Sequence, residues 1–311
     1  MPFINSTLNN QLSLFALQNL STIYGGGIIL AYHQIDLPIF QMQLDVLSDF
    51  EIVSLTEITQ RHKKKLSTRK LLSITVDDCY RSTLPNLCNY AVAKNLPITF
   101  FAPIHFISGQ HMPYTILSNV LKYLSGNIIE LDAEQIDGTK KETITHLHQE
   151  YLQKIYTQKV STYMPALEQM VQKLLDQGIA STPDFYEQDE PVDWDFIAHQ
   201  SKEACLSFQS HSMTHQPVVA LSDEDLEKEC VQSKKFLTEL TNQEILHFCY
   251  PYGGDANIGK TAQRVIAKHF DSAVTMKRGR LSNKTDSFML PRIPLYNGDL
   301  KGRTLLKTLT S

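Results

Sequence analysis

The chain contains 311 residues, of which 42% are hydrophobic and 20% are charged. This composition excludes a disordered protein, and the length allows one large domain or two small ones. The 29 basic and 33 acidic residues give a formal net charge of −4. A protein built mainly to bind nucleic acid would show a basic excess, so we expect no nucleic-acid partner.

The cellular location is predicted from segments that the sequence lacks. No apolar run approaches the roughly 20 residues of a membrane-spanning helix, and residues 1–20 do not show a basic start followed by an apolar core. The five cysteines occur singly, which argues against a disulfide framework and against a cysteine-ligated zinc site. We therefore expect a reduced, cytoplasmic protein without a membrane-spanning segment. The sequence does not indicate an oligomeric state.

Short apolar runs alternate with helical patterns along the chain, which is typical of a parallel sheet or barrel. The expected buried strands are residues 27–35, 71–76, 98–103, 204–208, 245–250 and 272–276. The clearest helix is predicted over residues 223–240, where apolar residues recur at a spacing of three to four. Ser222 and Asp225 form a capping-box start for this helix.

The segment of residues 105–191 differs from the rest of the chain. It shows helical patterns at residues 114–124, 140–158 and 165–177, many polar residues and no strand-like run. We interpret it as a long helical insertion between two core strands, packed over one face of the barrel. The whole chain, residues 1–311, is then a single domain that contains this insertion.

Two adjacent carboxylates, Asp77 and Asp78, follow the expected strand at residues 71–76. Unpaired charge at the end of a buried strand is costly, so a metal ion or a cationic partner is the usual explanation. The alternative is a surface turn that begins with aspartate. This pair alone does not decide between the two.

A histidine pair, His211 and His215, follows the expected strand at residues 204–208. Histidines four residues apart on one helical turn can bind the same metal ion. The spacing is also common among ordinary, partly exposed histidines. As with the carboxylates, the pair lies where a strand gives way to a helix or loop.

The third cluster, CYPYGG at residues 249–254, has the composition of a tight turn that leaves a strand. Glycine allows a backbone to approach a ligand closely. Backbone N–H groups in such a turn can stabilise an oxyanion. An ordinary turn without a function is the alternative.

The three clusters together favour a metal-dependent hydrolase. Asp78, His211 and His215 would supply one oxygen and two nitrogen ligands, with positions open for water and substrate. Asp77 could accept the proton of a metal-activated water molecule. The same ligand types also occur in Fe(II) oxygenases, but there the first histidine and the carboxylate lie closer in sequence and a second aspartate has no role.

These motifs also carry a resemblance to a known family. TVDDC, HSMTH and FCYPYG resemble, in this order, motifs of the polysaccharide deacetylases, which are NodB-homology carbohydrate esterases. Residues 192–195, 273–276 and 290–293 are similar to further family segments, so the resemblance covers residues 27–296. It implies an α/β fold, a distorted, incomplete (β/α) barrel with its site at the carboxyl ends of the strands.

The resemblance also implies a reaction and the residues that perform it. The expected reaction is metal-assisted hydrolysis of an acetyl group, usually an N-acetyl, from a sugar or glycan, with release of acetate. Asp77 matches the general base, and Pro251 and Tyr252 match the substrate-binding turn, where the Tyr252 backbone N–H holds the oxyanion. The implied ligands of a divalent ion, expected to be Zn²⁺, are Asp78, His211 and His215.

The chain departs from the family pattern at several positions. Cys79 replaces the glycine after the two aspartates, and Cys249 stands where many members carry an arginine that orients the base; Arg292 could substitute for that arginine. No histidine follows His269, so the late histidine that serves as general acid is missing. His33 is one candidate for that role, although a lone histidine is more often structural. These departures allow an alternative, a catalytically degenerate sugar-binding protein of the same fold.

The expected insertion carries several tyrosines that bear on substrate binding. They are Tyr114, Tyr151, Tyr156 and Tyr163. Such rings could stack on sugars, but tyrosines at helical spacing more often pack in a core with a hydrated hydroxyl.

Overall fold

A computed structural model of the protein describes residues 26–131, 134–186 and 190–299. Residues 1–25, on which the prediction of no secretory signal depends, lie outside the described residues. Within the described ranges, no helix combines the length and the apolar character needed to cross a bilayer. The cytoplasmic location stays a prediction.

A closed barrel of seven parallel strands forms the centre of the fold. The strands of the structure are β1 (Ile28–Tyr32), β2 (Glu51–Ile52), β3 (Leu71–Asp77), β4 (Ile98–Ala102), β5 (Ile128–Leu131), β6 (Glu134–Asp137), β7 (Leu206–Ser210), β8 (His247–Cys249), β9 (Ser272–Arg278) and β10 (Leu290–Pro294). The barrel order is β1, β3, β4, β7, β8, β9 and β10, and β10 pairs back with β1. A complete (β/α) barrel has about eight strands, so the predicted incomplete barrel is confirmed.

Helices follow most strands and cover the barrel. They are α1 (Leu37–Val46), α2 (Leu55–Lys63), α3 (Leu84–Lys94), α4 (Ile104–Ile107), α5 (Pro113–Leu124), α6 (Lys141–Thr157), α7 (Met164–Asp176), α8 (Thr182–Tyr186), α9 (Trp194–Gln200), α10 (Asp223–Thr241), α11 (Asp255–Ile258) and α12 (Ala262–Ile266). The helix predicted over residues 223–240 is α10. It begins as expected, because the Ser222 side chain accepts a hydrogen bond from the Asp225 backbone N–H.

The barrel strands are buried on both faces, and every residue of β1, β3 and β4 is buried. This burial explains why continuous apolar runs predicted these strands. The predicted strand at residues 245–250 is shorter in the structure, where β8 covers only three residues. The sequence analysis did not predict β10 as a strand, because its two prolines argue against one.

The segment between β4 and β7 contains the three helices predicted for it, which are α5, α6 and α7. The expectation that it carries no strand was wrong, because β5 and β6 form an antiparallel hairpin. Each strand of this hairpin has only four residues, IIEL in β5 and the mostly polar EQID in β6, so the apolar signal is short. The segment packs around a hydrophobic core of its own. The domain boundaries, residues 1–311 and 105–191, stay predictions.

Candidate active site

Polar side chains converge at the carboxyl ends of neighbouring barrel strands. Asp77 ends β3 and Asp78 follows it, His211 follows β7, and Cys249 ends β8. Parallel strands that close into a barrel bring all their carboxyl ends to one rim. The structure therefore places residues that are remote in sequence around one cavity.

The Asp78 carboxylate faces both histidines. Its Oδ1 atom lies 3.5 Å from His211 Nε2 and 3.4 Å from His215 Nε2. The atom is buried and has no hydrogen-bond partner among the residues that the structure describes. One ligand atom from each of the three residues lies within 4.8 Å of the others. A buried oxygen without a partner is unfavourable, and a divalent ion among these three atoms would satisfy it, so the residues fit a metal ion.

Both imidazoles are suited to act as ligands. The Nδ1 atom of His211 lies 2.9 Å from the Cys249 backbone oxygen, so its N–H donates there and Nε2 keeps a lone pair that faces Asp78. Burial, followed by the neighbouring His211, lowers the pKa of His215 to about 3. His215 is therefore neutral at pH 7, as ligation requires.

The two histidines lie in a loop rather than on the helical turn considered from the sequence. Ser212 and His215 adopt positive φ angles of 67° and 53°. The Glu229 side chain of α10 stabilises the loop, because its Oε2 atom accepts hydrogen bonds from the N–H groups of Met213 and Thr214 at 2.7 and 3.0 Å. The sequence analysis missed Glu229. The available signal was an acidic residue on the otherwise apolar face of the predicted helix.

Asp77 differs from Asp78 because its carboxylate is fully paired. The buried Arg292 guanidinium donates from Nη1 to Oδ1 at 2.8 Å and from Nη2 to Oδ2 at 2.7 Å. Burial alone would raise the pKa of Asp77, but the charge and hydrogen bonds of Arg292 outweigh burial and hold this pKa well below its usual range. Asp77 is therefore ionised.

Arg292 is itself fixed by several acceptors. It donates to the Thr75 hydroxyl and to the Thr275 backbone oxygen, each at 2.9 Å. Its Nη2 atom lies 3.1 Å from Cys249 Sγ. Burial raises the pKa of Cys249 well above its usual range, so this side chain is a neutral thiol. A small thiol at position 249 leaves space for the guanidinium that enters from β10.

Cys79 takes the backbone conformation that glycine favours. Its φ angle is 60°, and that of Asp78 is 69°. For a residue with a Cβ atom this left-handed conformation costs roughly 1–2 kcal/mol. The Cys79 thiol contacts the Phe101 backbone oxygen at 3.7 Å. The chain can thus form the turn with cysteine in place of glycine.

The turn after β8 presents Tyr252 to the cavity. Tyr252 and Gly253 have φ angles of 61° and 62°, and a Cβ atom at Gly253 would lie 2.5 Å from the Met276 backbone nitrogen, so this position requires glycine. The Tyr252 ring packs edge-to-face against His215, with a centroid distance of 5.1 Å, and against Tyr156 at 5.2 Å. The neighbouring Pro251 is buried.

A cavity of about 600 Å³ opens at this cluster. Asp77, Asp78, His211 and His215 line it. Six of the described tyrosines also line it: Tyr80, Tyr114, Tyr156, Tyr250, Tyr252 and Tyr296. Two of the four insertion tyrosines considered from the sequence therefore reach the cavity, whereas Tyr151 and Tyr163 are buried in the insertion's own core.

His33 is placed in the cavity as well. It follows β1, and its Nε2 atom lies 3.7 Å from Asp77 Oδ2 with 35% of the side chain exposed. The sequence analysis favoured a structural role for this histidine. The signal for a role in the site was its position directly after a barrel strand, which corresponds to that of Asp78 after β3.

Three solved structures have a similar fold. The deacetylase PplD of Streptococcus pyogenes, solved in complex with acetate, has a TM-score of 0.56 and 14% identity over 92% of this chain and 99% of that chain. IcaB of Ammonifex degensii has a TM-score of 0.56 and 14% identity, over 93% and 98% of the two chains. The BpsB deacetylase domain of Bordetella bronchiseptica has a TM-score of 0.51 and 12% identity, over 86% and 95%. At these identities the similarity shows a shared fold.

The fold and the cluster at its rim define a barrel hydrolase of the carbohydrate deacetylase class. The sequence model described as polysaccharide deacetylase matches residues 64–270. This match covers more than half of the chain, and the chain belongs to the polysaccharide deacetylase family. A search of curated proteins found no match.

Proposed function

We propose that the protein removes an N-acetyl group from a sugar or glycan in a reaction that depends on a divalent metal ion and releases acetate. The observation that carries this proposal is the orphaned Asp78 Oδ1 atom, which faces the Nε2 atoms of His211 and His215. An ionised second carboxylate, Asp77, lies beside this set. The glycan substrate follows from the family to which the chain belongs.

Asp78, His211 and His215 would hold the metal ion. Zinc is the expected ion, because two imidazoles and one carboxylate form a common catalytic zinc set, although cobalt, nickel and manganese accept the same ligands. When bound, such an ion polarises an acetyl carbonyl and lowers the pKa of water.

Asp77 is the proposed base that takes a proton from the attacking water. The guanidinium of Arg292 binds both carboxylate oxygens and so fixes the orientation of the base. The lowered pKa of Asp77 keeps the carboxylate ionised and able to accept a proton, and pairing with Arg292 makes it a weaker base than an unpaired carboxylate. Arg292 therefore acts as a positioning residue for the Asp77 carboxylate.

Tyr252 and His33 complete the proposed site. The backbone N–H of Tyr252, in the turn after β8, would donate to the oxyanion that forms at the acetyl carbon. When the C–N bond breaks, the leaving amine needs a proton. His33 is the candidate donor, because it is the one histidine besides His211 and His215 among the described residues that line the cavity.

The alternative of a degenerate sugar-binding protein is less well supported. It was based on Cys79, on Cys249 and on the missing late histidine. The turn at Cys79 forms without glycine. The Arg292 guanidinium and the His33 imidazole lie beside Asp77. Each departure from the family pattern is therefore accompanied by a side chain or backbone that can serve in its place.

Metal removal and restoration test this proposal. The purified chain is stripped with a chelator and assayed for acetate release from N-acetylglucosamine oligomers before and after Zn²⁺ is added back. We expect activity to disappear on stripping and to return with about one equivalent of a divalent ion, because the two groups of three candidate ligands among the described residues share His211. Full activity of the stripped chain, with metal content confirmed as negligible, would contradict the proposal.

A further inference from the structure

Two half-exposed tyrosines stand at the cavity. Among the described residues, the large hydrophobic side chains that are exposed include only two aromatic ones, Tyr114 at 49% and Tyr296 at 52%. Both line the active-site cavity. A single exposed aromatic ring needs no explanation, but two at one cavity indicate a surface for a ligand.

Both rings are carried on an anchored backbone. Tyr114 lies in the first turn of α5, which begins at Pro113 and packs into the insertion's core. The Tyr296 backbone oxygen accepts a hydrogen bond from Gln43 at 3.0 Å, and its N–H donates to the Asp299 side chain at 3.0 Å. A ring on a fixed backbone has less conformational entropy to lose when a ligand arrives than one on a mobile segment.

The charge of the cavity argues against an anionic substrate. The charged carboxylates at its wall are Asp77 and Asp78, and no lysine or arginine is among the described residues that line it. Arg292, which binds Asp77, is fully buried and already paired. Apart from the metal ion that Asp78, His211 and His215 would hold, a phosphate or uronate group would therefore meet no cationic side chain among the described lining residues, whereas neutral sugar rings find aromatic faces and hydroxyl groups.

The size of the cavity fits a ligand larger than an acetyl group. Its volume is about 600 Å³. Pockets of roughly 300–1,000 Å³ enclose molecules of several rings. Sugar units beside the hydrolysed one could therefore reach both exposed tyrosines.

We propose that Tyr114 and Tyr296 are stacking platforms for the sugar units that flank the hydrolysed one. The substrate is then an uncharged oligosaccharide or polysaccharide rather than a nucleotide-linked sugar. This inference rests on the proposed deacetylase function and adds the substrate class to it. Neither tyrosine belongs to the motifs on which the family resemblance depends.

The experiment compares substrates of different length and charge on the metal-loaded protein. Acetate release is measured with N-acetylglucosamine, with its β-1,4- and β-1,6-linked tetramers and with the uridine-diphosphate-linked sugar. For Tyr114→Ala and Tyr296→Ala we expect the ratio of kcat/KM between tetramer and monomer to fall about tenfold, as loss of one stacking contact implies. Tyr→Phe at either position should keep most of this ratio, because the ring remains.

A control variant and a binding measurement separate the possible outcomes. Val231→Ala removes a side chain that is 46% exposed on α10 and should leave the ratio unchanged. Equal losses for monomer and tetramer, or a preference for the nucleotide-linked sugar, would overturn the inference. Tetramer binding is also measured by calorimetry. If the metal-loaded protein binds tetramer through both tyrosines but releases no acetate, the proposed function fails while the stacking surface stands.

Discussion

The barrel rim and the insertion both line the cavity, but they contribute different side chains. The rim supplies the carboxylates and the histidines, Asp77, Asp78, His211, His215 and His33. The insertion supplies Met112, Tyr114, Thr115 and Tyr156. The groups proposed to transfer protons or bind metal thus lie at strand ends fixed by the barrel, while the insertion adds apolar and aromatic surface to the tyrosines that the rim also supplies. Substitutions of the rim carboxylates and histidines should change turnover, whereas substitutions of the exposed rings, Tyr114 of the insertion and Tyr296 after β10, should change substrate preference.

The insertion is also connected to the loops of the site. Tyr252 packs against the insertion's hydrophobic core, and the Asn257 side chain donates to the Tyr156 backbone oxygen at 3.0 Å. The Val160 N–H donates to Gln216 of the histidine loop at 2.9 Å. The rim and the insertion are therefore not independent, and substitutions in either region can test the connection between them.

The largest effect is expected for Asp77→Asn, which removes the proposed base from the rim. The kcat for acetate release should fall about a hundred- to ten-thousandfold, the usual contribution of general acid–base catalysis. Asn is similar in shape and Asp77 is not in the proposed ligand set, so zinc content measured by plasma spectrometry should stay at one equivalent.

Asp78→Asn is the matched variant, and it should lose zinc as well as turnover. Near-normal turnover of Asp77→Asn would contradict the base assignment. Equal zinc loss in both variants would instead show that the two carboxylates share one role, and the difference between paired Asp77 and unpaired Asp78 would have no functional meaning.

His33→Gln should have the next largest effect, and the effect should depend on the leaving group. An amine needs a proton when it departs, whereas p-nitrophenolate leaves without one. We expect kcat for an N-acetylated sugar to fall about a hundredfold and hydrolysis of p-nitrophenyl acetate to change much less. Parallel losses on both substrates would assign His33 a structural or binding role.

Arg292→Lys tests positioning within the rim. Lysine keeps the charge but cannot bind both Asp77 oxygens, so we expect kcat to fall about tenfold or more with a smaller change in KM. Arg264→Lys, at an exposed pair with Asp223, is the control and should behave as the unmodified protein. If Arg292→Lys lowers only the melting temperature and leaves kcat intact, Arg292 is a structural residue.

The side chains of the rim were easier to predict from the sequence than the contacts that position them. Burial on both faces gives barrel strands continuous apolar runs, and the clusters at residues 77–78 and 211–215 follow two of them directly. The strands β1 and β3 are consecutive in the barrel order and pair directly, which brings His33 beside Asp77. The sequence analysis favoured a structural role for His33 because a lone histidine is more often structural, and the contact with Asp77 required coordinates.

Sequence patterns also did not predict the interactions between segments that are distant in the chain. Glu229 lies on a helix whose apolar face was predicted, yet its hydrogen bonds to the histidine loop depend on how α10 packs on β7. The hairpin of β5 and β6 was missed because its strands have only four residues each and β6 is mostly polar, which gives a weak signal. Arg292 was suggested by sequence similarity, and its two bonds to Asp77 required coordinates.

The smallest effect is expected at the connection between the two regions. Gln216 accepts from the Val160 N–H and donates to the Thr214 hydroxyl at 3.0 Å, so it joins the insertion to the loop that carries His215. Gln216→Ala leaves a partly buried N–H without its acceptor, which should cost about 1 kcal/mol of unfolding free energy.

If the insertion also positions the loop, zinc affinity and kcat of Gln216→Ala should each fall about three- to tenfold, since partners beyond the ligands tune metal binding. Gln216→Glu keeps an acceptor for Val160 and should lose less. Reduced stability with unchanged zinc affinity and kcat would show that the insertion contributes substrate surface alone.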